Sequence, residues 1–379
     1  MIKINVSEEK MKQIENKHWK WFKNNMLRNW ITQIYKDADN TEYEGLFLKI
    51  FFEDKNSFRK WFDKQNREST VNWIEKQEHE KFYIFKNFII GNKYKIDLLK
   101  EKIGLINESI DRTKSSNVIK KLRKYFEGQY NKFRNTNDEW GGAHLVKELD
   151  IKVCPYCNRN FVDTYKIDKN GKYITNAQLD HFYSKKYYPY LALSLYNLIP
   201  CCSVCNHSKL DKNNEIIYPY EEQFDDNVRF TTRFAKLNGE DSYDLNYLFG
   251  NSDNFEIKLL IDEERLKNDL IKRSIEKNIK INLEEKIKKF KERIDKSKEV
   301  FNIEKVYNFN KDYVKELIKK AIIYNESRID ELYNQYPELF SSRDEVLNMV
   351  VSNYINADDL AKRPLAKLTR DICNELGLQ

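Results

Sequence analysis

Along the first 144 residues, apolar and aromatic side chains recur every three or four positions. Trp19, Phe22, Met26, Trp30 and Ile34 share one face of a helix at that spacing. Ser7, followed by Glu8 and Glu9, predicts the cap of this first helix. Further helices are predicted near 55–65, 70–90 and 95–133, and no proline interrupts the stretch. The pattern then changes. Four of the six prolines, Pro155, Pro189, Pro200 and Pro219, lie between 150 and 220. Residues 161–165 and 172–174 read as strands flanking the turn DKNG, where Gly171 is free to take positive φ. Past residue 225 a hairpin is predicted from VRFTTRF (228–234) and FEIKLLI (255–261). Helical spacing then returns. Ile275, Ile279, Leu283, Ile287, Phe290 and Ile294 make one apolar stripe. Val314, Leu317, Ile318, Ala321, Ile329, Leu332, Tyr333 and Tyr336 make another, and both are read as core packing.

The patterning predicts an α+β chain, mostly α-helical, in three parts. These are an N-terminal helical domain (1–144), a small central domain (145–225), and a C-terminal hairpin with a helical domain (226–379). Composition agrees with a packed, helix-rich protein: 40% hydrophobic, 14% aromatic, only 10 glycines. The 67 basic and 60 acidic residues leave a net charge of +7, which permits a polyanionic partner without requiring one. Between 112 and 134 the excess is local. Arg112, Lys114, Lys120, Lys121, Arg123, Lys124, Lys132 and Arg134 stand against Glu127 alone. This run is a candidate nucleic-acid face, although such runs are commonly just solvated helix surface. No apolar run approaches the ~18 residues of a membrane span. The start, MIKINVSEEKMKQ, lacks a signal-peptide core. The expectation is a chain that stays in a reducing cytoplasm, where paired cysteines suggest metal rather than disulfides.

The chain has five histidines and six cysteines. Cys154-x-x-Cys157 and Cys202-x-x-Cys205 can each wrap a tight knuckle around one tetrahedral ion. Four thiolates close the shell, so the predicted zinc is structural, and its binding supports folding of a segment with little core of its own. Cys201 is the extra thiol and is left out of the shell.

Between the knuckles lie residues a zinc ribbon does not need. Asp180-His181 follows a short apolar lead, Asn197 begins NLIP, and Asn206, His207 and Lys209 follow Cys205, where a helix is predicted to start. Zinc would draw the knuckles together, so that Asp180 and Asn206 face each other across a small cleft. That suits metal-assisted phosphodiester hydrolysis. Asp180 and Asn206 offer oxygen ligands for Mg²⁺ or Mn²⁺. His181 is the candidate general base, and Asn197 would fix the backbone of its loop. Lys209, one helical turn beyond Asn206, is expected to meet the phosphate. Lys185 and Lys186 are candidates for contact with the nucleic-acid backbone. Taken singly, each has an ordinary reading: Asp180 as a turn former, Asn197 as a strand-end cap, His181 as a polar histidine. His18, His79 and His144 are read as structural or surface.

The order CxxC, DH, N, CxxCNxxK resembles that of the HNH nucleases over Cys154–Lys209. The resemblance implies a ββα-metal fold with a zinc-stabilised knuckle. Within that superfamily, the DHF-x-x-K run, NLIP and the late RPLAKLTRDI (363–372) resemble HNH proteins of bacterial anti-phage systems. These are the Septu-type and retron-associated nucleases, which work beside an ATPase subunit. The implied function is a metal-dependent endonuclease, of DNA in the first instance. A ribonuclease of the same fold and a non-catalytic nucleic-acid-binding zinc module are the alternatives. There are two departures. The last motif position, often histidine in the superfamily, is Asn206, with His207 adjacent as the alternative metal ligand. Ser184 stands where a proline is expected before the lysine.

Overall fold

A computed structural model describes residues 1–40, 43–67, 82–106, 116–137, 139–167, 172–211, 215–236, 242–276 and 282–378. His79, Arg112, Lys114, the turn at 168–171 and Ile279 lie outside the described residues.

Ser7 accepts a hydrogen bond from the Lys10 amide and starts α1 (Glu8–Phe22), with Glu8 and Glu9 placed to favour the helix N-terminus. A π-turn at Lys23–Leu27 joins it to α2 (Arg28–Asn40). Steps of four residues, from Phe22 to Met26 to Trp30 to Ile34, drift about 40° each on an ordinary helix. The wider turn absorbs part of that drift, and all four side chains are buried. Next come α3 (Leu46–Phe51), α4 (Lys55–Arg67), α5 (Tyr83–Ile90), α6 (Lys93–Ile103), α7 (Ser116–Asn135) and α8 (Gly142–Glu148). The single helix expected over 95–133 is therefore two. Gly104, at φ 77°, ends α6 in a backbone region that favours glycine. Trp30 packs edge-on against Phe22 and Phe126, tying α1, α2 and α7 into one core. At the α7–α8 corner the chain doubles back tightly. A Cβ at Gly141 would lie 2.1 Å from the Thr136 carbonyl, so only glycine fits.

The central segment has two short antiparallel pairs. β1 (Thr164–Lys166) pairs with β2 (Tyr173–Thr175), and β3 (Gln178–His181) pairs with β4 (Leu198–Cys201). Cys202 then caps α9 (Ser203–Lys209). Two strands and a helix thus follow one another, with a loop at 182–197 between the strands. Beyond lies the expected hairpin, β5 (Val228–Phe234) and β6 (Phe255–Ile261), in register from Val228–Ile261 to Phe234–Phe255.

The C-terminal helices are α10 (Glu263–Glu276), α11 (Leu283–Val300), α12 (Ile303–Tyr307), α13 (Lys311–Ile323), α14 (Glu326–Gln335), α15 (Arg343–Val351) and α16 (Ala366–Glu375). Both predicted stripes are split by asparagine caps. Asn282 opens α11 by accepting from the Glu285 amide, and Asn325 opens α14 by accepting from Arg328. Buried residues of the N-terminal, central and C-terminal stretches join one apolar cluster. Among the described residues, no helix is long and apolar enough to cross a membrane.

Candidate active site and metal centre

None of the six cysteines is in a disulfide. The Sγ atoms of Cys154, Cys157, Cys202 and Cys205 lie within 4.8 Å of one another, and all four residues are buried. Thiolates ~2.3 Å from a tetrahedral centre stand about 3.8 Å apart, close to the 4.0 Å between Cys157 and Cys202. The cluster has the donor set and size of a structural zinc site. Its first knuckle is shaped by local bonds. The Asn158 amide donates to Cys154 O and the Cys154 amide to Asn160 O, while Asn158 takes φ 50°. The Arg159 amide and the Asn160 side chain point at Cys157 and Cys202 sulfurs, at 3.4 and 3.3 Å. Hydrogen bonds from the neighbouring thiols, Cys154 first, push Cys202 down, while burial pushes Cys154 up and the neighbouring thiols push Cys205 up. Cys201 is fully buried on β4 and is not part of the cluster.

The rest of the molecule clasps this knuckle. The Ile2 amide donates to Pro155 O at 2.9 Å, and Tyr307 donates to Cys157 O at 2.6 Å. The Leu365 amide donates to Asn158 O at 2.6 Å, and the Lys367 amide to the Asn158 side chain at 3.0 Å. The late RPLAKLTRDI segment is therefore a support for the knuckle.

β3 presents Asp180 and His181 at its end, and pairing of Gln178 with Cys201 fixes them beside the second knuckle. A cleft of about 670 Å³ opens there, lined by Asp180, His181, Lys185, Asn206 and His207, and by Gln178, Tyr130 and Arg134. The structure thus brings Asp180, His181, Asn206, His207 and Lys185 to one cavity.

Nε2 of His181 lies 3.0 Å from Ala192 O. A carbonyl can only accept, so Nε2 carries the proton and Nδ1 keeps a lone pair. No group among the described residues hydrogen-bonds Nδ1. Burial first, then the Lys185 charge, push the imidazole down to about 3, so it is neutral at physiological pH. The Tyr130 ring meets it edge-on at 4.5 Å. Asn197 is fully buried and laces the loop. Its Oδ1 accepts from the Tyr183 amide at 2.7 Å, and its Nδ2 donates to Tyr183 O and Leu191 O, each at 3.1 Å. Those bonds hold both ends of the segment that faces His181.

Lys209 departs from expectation. Instead of meeting a phosphate at the surface, its side chain is 1% exposed. It reaches both Asp180 oxygens, at 3.0 and 3.1 Å, and donates to His181 O at 2.7 Å. The reason is geometric. One turn beyond Asn206 on α9, the side chain runs under β3, where only the Asp180 carboxylate can offset its buried charge. Lys186 pairs with Asp211 at 3.3 Å and is not among the cleft-lining residues, whereas Lys185 pairs with Glu127 at 2.8 Å on the cleft wall. Asn206 donates from Nδ2 to Gln178 Oε1 at 2.5 Å, and His207 is exposed.

Two contributors went unnoticed in the sequence. Tyr156, inside the first CxxC, donates to Asp180 Oδ2 at 2.7 Å. Burial, then the Asp180 charge, push its hydroxyl up, keeping it a donor. Its place between two zinc-type cysteines was the available signal. Tyr130 donates to Leu179 O at 3.2 Å from a helix far away in sequence, and nothing local to the motif marks it.

No protein-family model matches the chain, and no solved structure matches it. The chain is similar to the Septu protein PtuB of Bacillus thuringiensis, 30% identical over 79 residues. The match covers 20% of this chain and 27% of that protein, so the chain spans about a quarter of the length of the curated relative it matches.

Proposed function

We propose that the chain is a metal-dependent HNH endonuclease that hydrolyses phosphodiester bonds of DNA. The observation that carries this reading is His181: a neutral imidazole, its tautomer fixed by Ala192 O, in a cleft with Asp180 and Asn206. The strand–strand–helix order of β3, β4 and α9 beside a four-cysteine cluster is the arrangement that the HNH resemblance implies.

The residues present fit a hard divalent ion such as Mg²⁺ or Mn²⁺. Asp180 and Asn206 would contribute oxygens: Asn206 Oδ1 has no hydrogen-bond partner among the described residues, and the Asp180 carboxylate would be shared with Lys209 and Tyr156. Such an ion supplies stabilisation of the charge that grows on the phosphate and leaving oxygen. His181 Nδ1 takes a proton from the attacking water. Asn197 keeps the loop and Ala192 O in place, and so sets the aim of the ring. Tyr156 and Lys209 hold the Asp180 carboxylate in one orientation, which makes Lys209 a positioning residue.

The partial likeness to a Septu protein supports a role in anti-phage defence. The nuclease effector role comes from the motif order, and an ATPase subunit as partner comes from the HNH family resemblance alone. The test is a cleavage panel of plasmid DNA, single-stranded DNA and RNA with Mg²⁺ or Mn²⁺. DNA should be cut, and His181→Ala should abolish cutting while zinc content and melting stay unchanged. Cleavage of RNA alone would reassign the chain as a ribonuclease. Equal activity in His181→Ala would sink the catalytic reading.

A further inference from the structure

The cleft has a wall that the proposed chemistry leaves unused. Helix α7 runs away from it, and Arg134, near the end of that helix, lines the cleft. Lys120, Lys124, Glu127, Asn131 and Arg134 are spaced by four, three, four and three residues. They fall within about 80° of one another around the helix and are all exposed. Among the described residues, Lys120, Lys124 and Arg134 meet no carboxylate. The one acid of the stripe, Glu127, is engaged by Lys185 at 2.8 Å. Lys120 to Arg134 spans about 21 Å at 1.5 Å per residue. The result is a cationic track that starts in the candidate active site and leads outward.

We propose that this face of α7 carries the backbone of duplex DNA, with Arg134 contacting the phosphate next to the one positioned for cleavage and Lys124 and Lys120 following outward. The proposal rests on the nuclease reading. Two observations select the occupant. Cations in a row that meet no carboxylate among the described residues complement a phosphate backbone. The cleft offers unpaired bases no exposed phenylalanine, tyrosine or tryptophan to stack on: Tyr130 is buried against His181, and the exposed ring among the lining residues is the small His207 imidazole. Contacts limited to phosphates suit a duplex, whose bases are already stacked. Glu127 holds Lys185 until an entering phosphate replaces it, so the acid weakens binding.

The test is binding of a short DNA duplex to the full zinc-loaded chain by fluorescence anisotropy, over a salt series without added divalent ion. The same strand alone and a duplex RNA serve as competing arms. Lys120→Ser, Lys124→Ser and Arg134→Ser combined should weaken duplex binding about tenfold or more near 100 mM salt. The slope of log affinity against log salt should fall by about two to three units. Glu127→Gln should bind several-fold tighter. Lys132→Ser, which removes a charge about 120° away on the same helix, should bind like the wild type. Zinc content and melting should not change in any variant. Triple-variant binding with wild-type affinity and slope would overturn the track, as would an equal loss in Lys132→Ser. Tighter binding of the single strand or of duplex RNA would overturn the choice of occupant. If the wild type neither binds nor cuts duplex DNA, the nuclease reading falls as well. If it binds and cuts while the triple variant is unaffected, the track alone falls.

Discussion

Two buried imidazoles donate from Nε2 to adjacent carbonyls of one loop: His18 to Leu193 O at 2.8 Å, and His181 to Ala192 O at 3.0 Å. Burial lowers both, to about 4 and about 3, so both are neutral near pH 7. They differ at the other nitrogen. Nδ1 of His18 accepts from Trp140 Nε1 at 3.1 Å, and its ring stands edge-on to Phe133 at 4.9 Å. Every polar atom of that ring is satisfied. Nδ1 of His181 has no partner among the described residues, and the ring borders a cleft. A depressed pKa therefore records burial in both cases and identifies a base in neither. The unused lone pair at a cavity makes the distinction. The shared loop also has a consequence: His18, on α1, braces the carbonyl next to the one that orients His181.

The largest expected effect removes the frame that holds both histidines. The loop they brace ends in β4, which runs directly into Cys202. Structural zinc sites contribute on the order of 10 kcal/mol to folding. Cys202→Ala should lose zinc, expose the central segment to proteolysis and abolish cleavage. Cys201→Ala, one position earlier and outside the cluster, should keep its zinc and cost only about 1 kcal/mol. Metal analysis with limited proteolysis checks both. Zinc lost from the Cys201 variant and kept by the Cys202 variant would reverse the assignment of the ligands.

Next in size is a double dissociation between the histidines. His181→Ala should lower cleavage about 10³-fold, the scale of a lost general base, with little change in melting. His18→Ala should do the opposite. Deleting a fully buried ring with two hydrogen bonds should cost about 3 kcal/mol of stability, while the folded fraction keeps most of its activity. Urea melts and cleavage rates per folded molecule separate the two outcomes. If His18→Ala loses as much activity per folded molecule as His181→Ala, the brace is tighter than the comparison allows.

The two histidines also differed in how far the sequence disclosed them. His181 sits in a compact motif, and every partner that the motif named lies between Cys154 and Lys209. Local spacing sufficed for the four-cysteine cluster and for the hairpin of β5 and β6, and it named Asp180 and Asn206, which line one cleft, and Asn197, which ties Tyr183 to Leu191. His18 has its partners at Trp140 and Leu193, more than 100 residues away, so no pattern near it could reveal a role. The same limit hid Tyr130, the support of the knuckle by α16, and the split of the 95–133 helix at Gly104. β3 and β4 were not read as strands because each is four residues long and largely buried, which removes the alternation that marks a half-exposed strand. Lys209 was misplaced for a related reason. A lysine is ordinarily a surface residue, and only the buried Asp180 beneath α9 makes its burial tolerable.

The smallest effect is the pH dependence carried by His18 alone. In the unfolded chain its pKa is near 6.5, and in the folded chain it is about 4. A folded pKa below the unfolded one means that protonation favours unfolding. The stabilisation is therefore complete above pH 6.5 and is lost as the pH falls toward 4. Within that window the unfolded chain binds up to one more proton at this site, which sets a slope approaching 1.4 kcal/mol per pH unit and a total of about 3 kcal/mol. Many carboxylates titrate in the same range, so a melt of the wild type alone cannot isolate the term. The difference between wild type and His18→Leu can, because both share those carboxylates. Urea midpoints at pH 7, 6 and 5 should show the wild type losing its advantage over the variant as the pH drops, with most of the loss below pH 6. A constant gap across the three pH values would mean that His18 stays accessible to protons in the fold, and that its bonds to Leu193 and Trp140 do not hold it neutral.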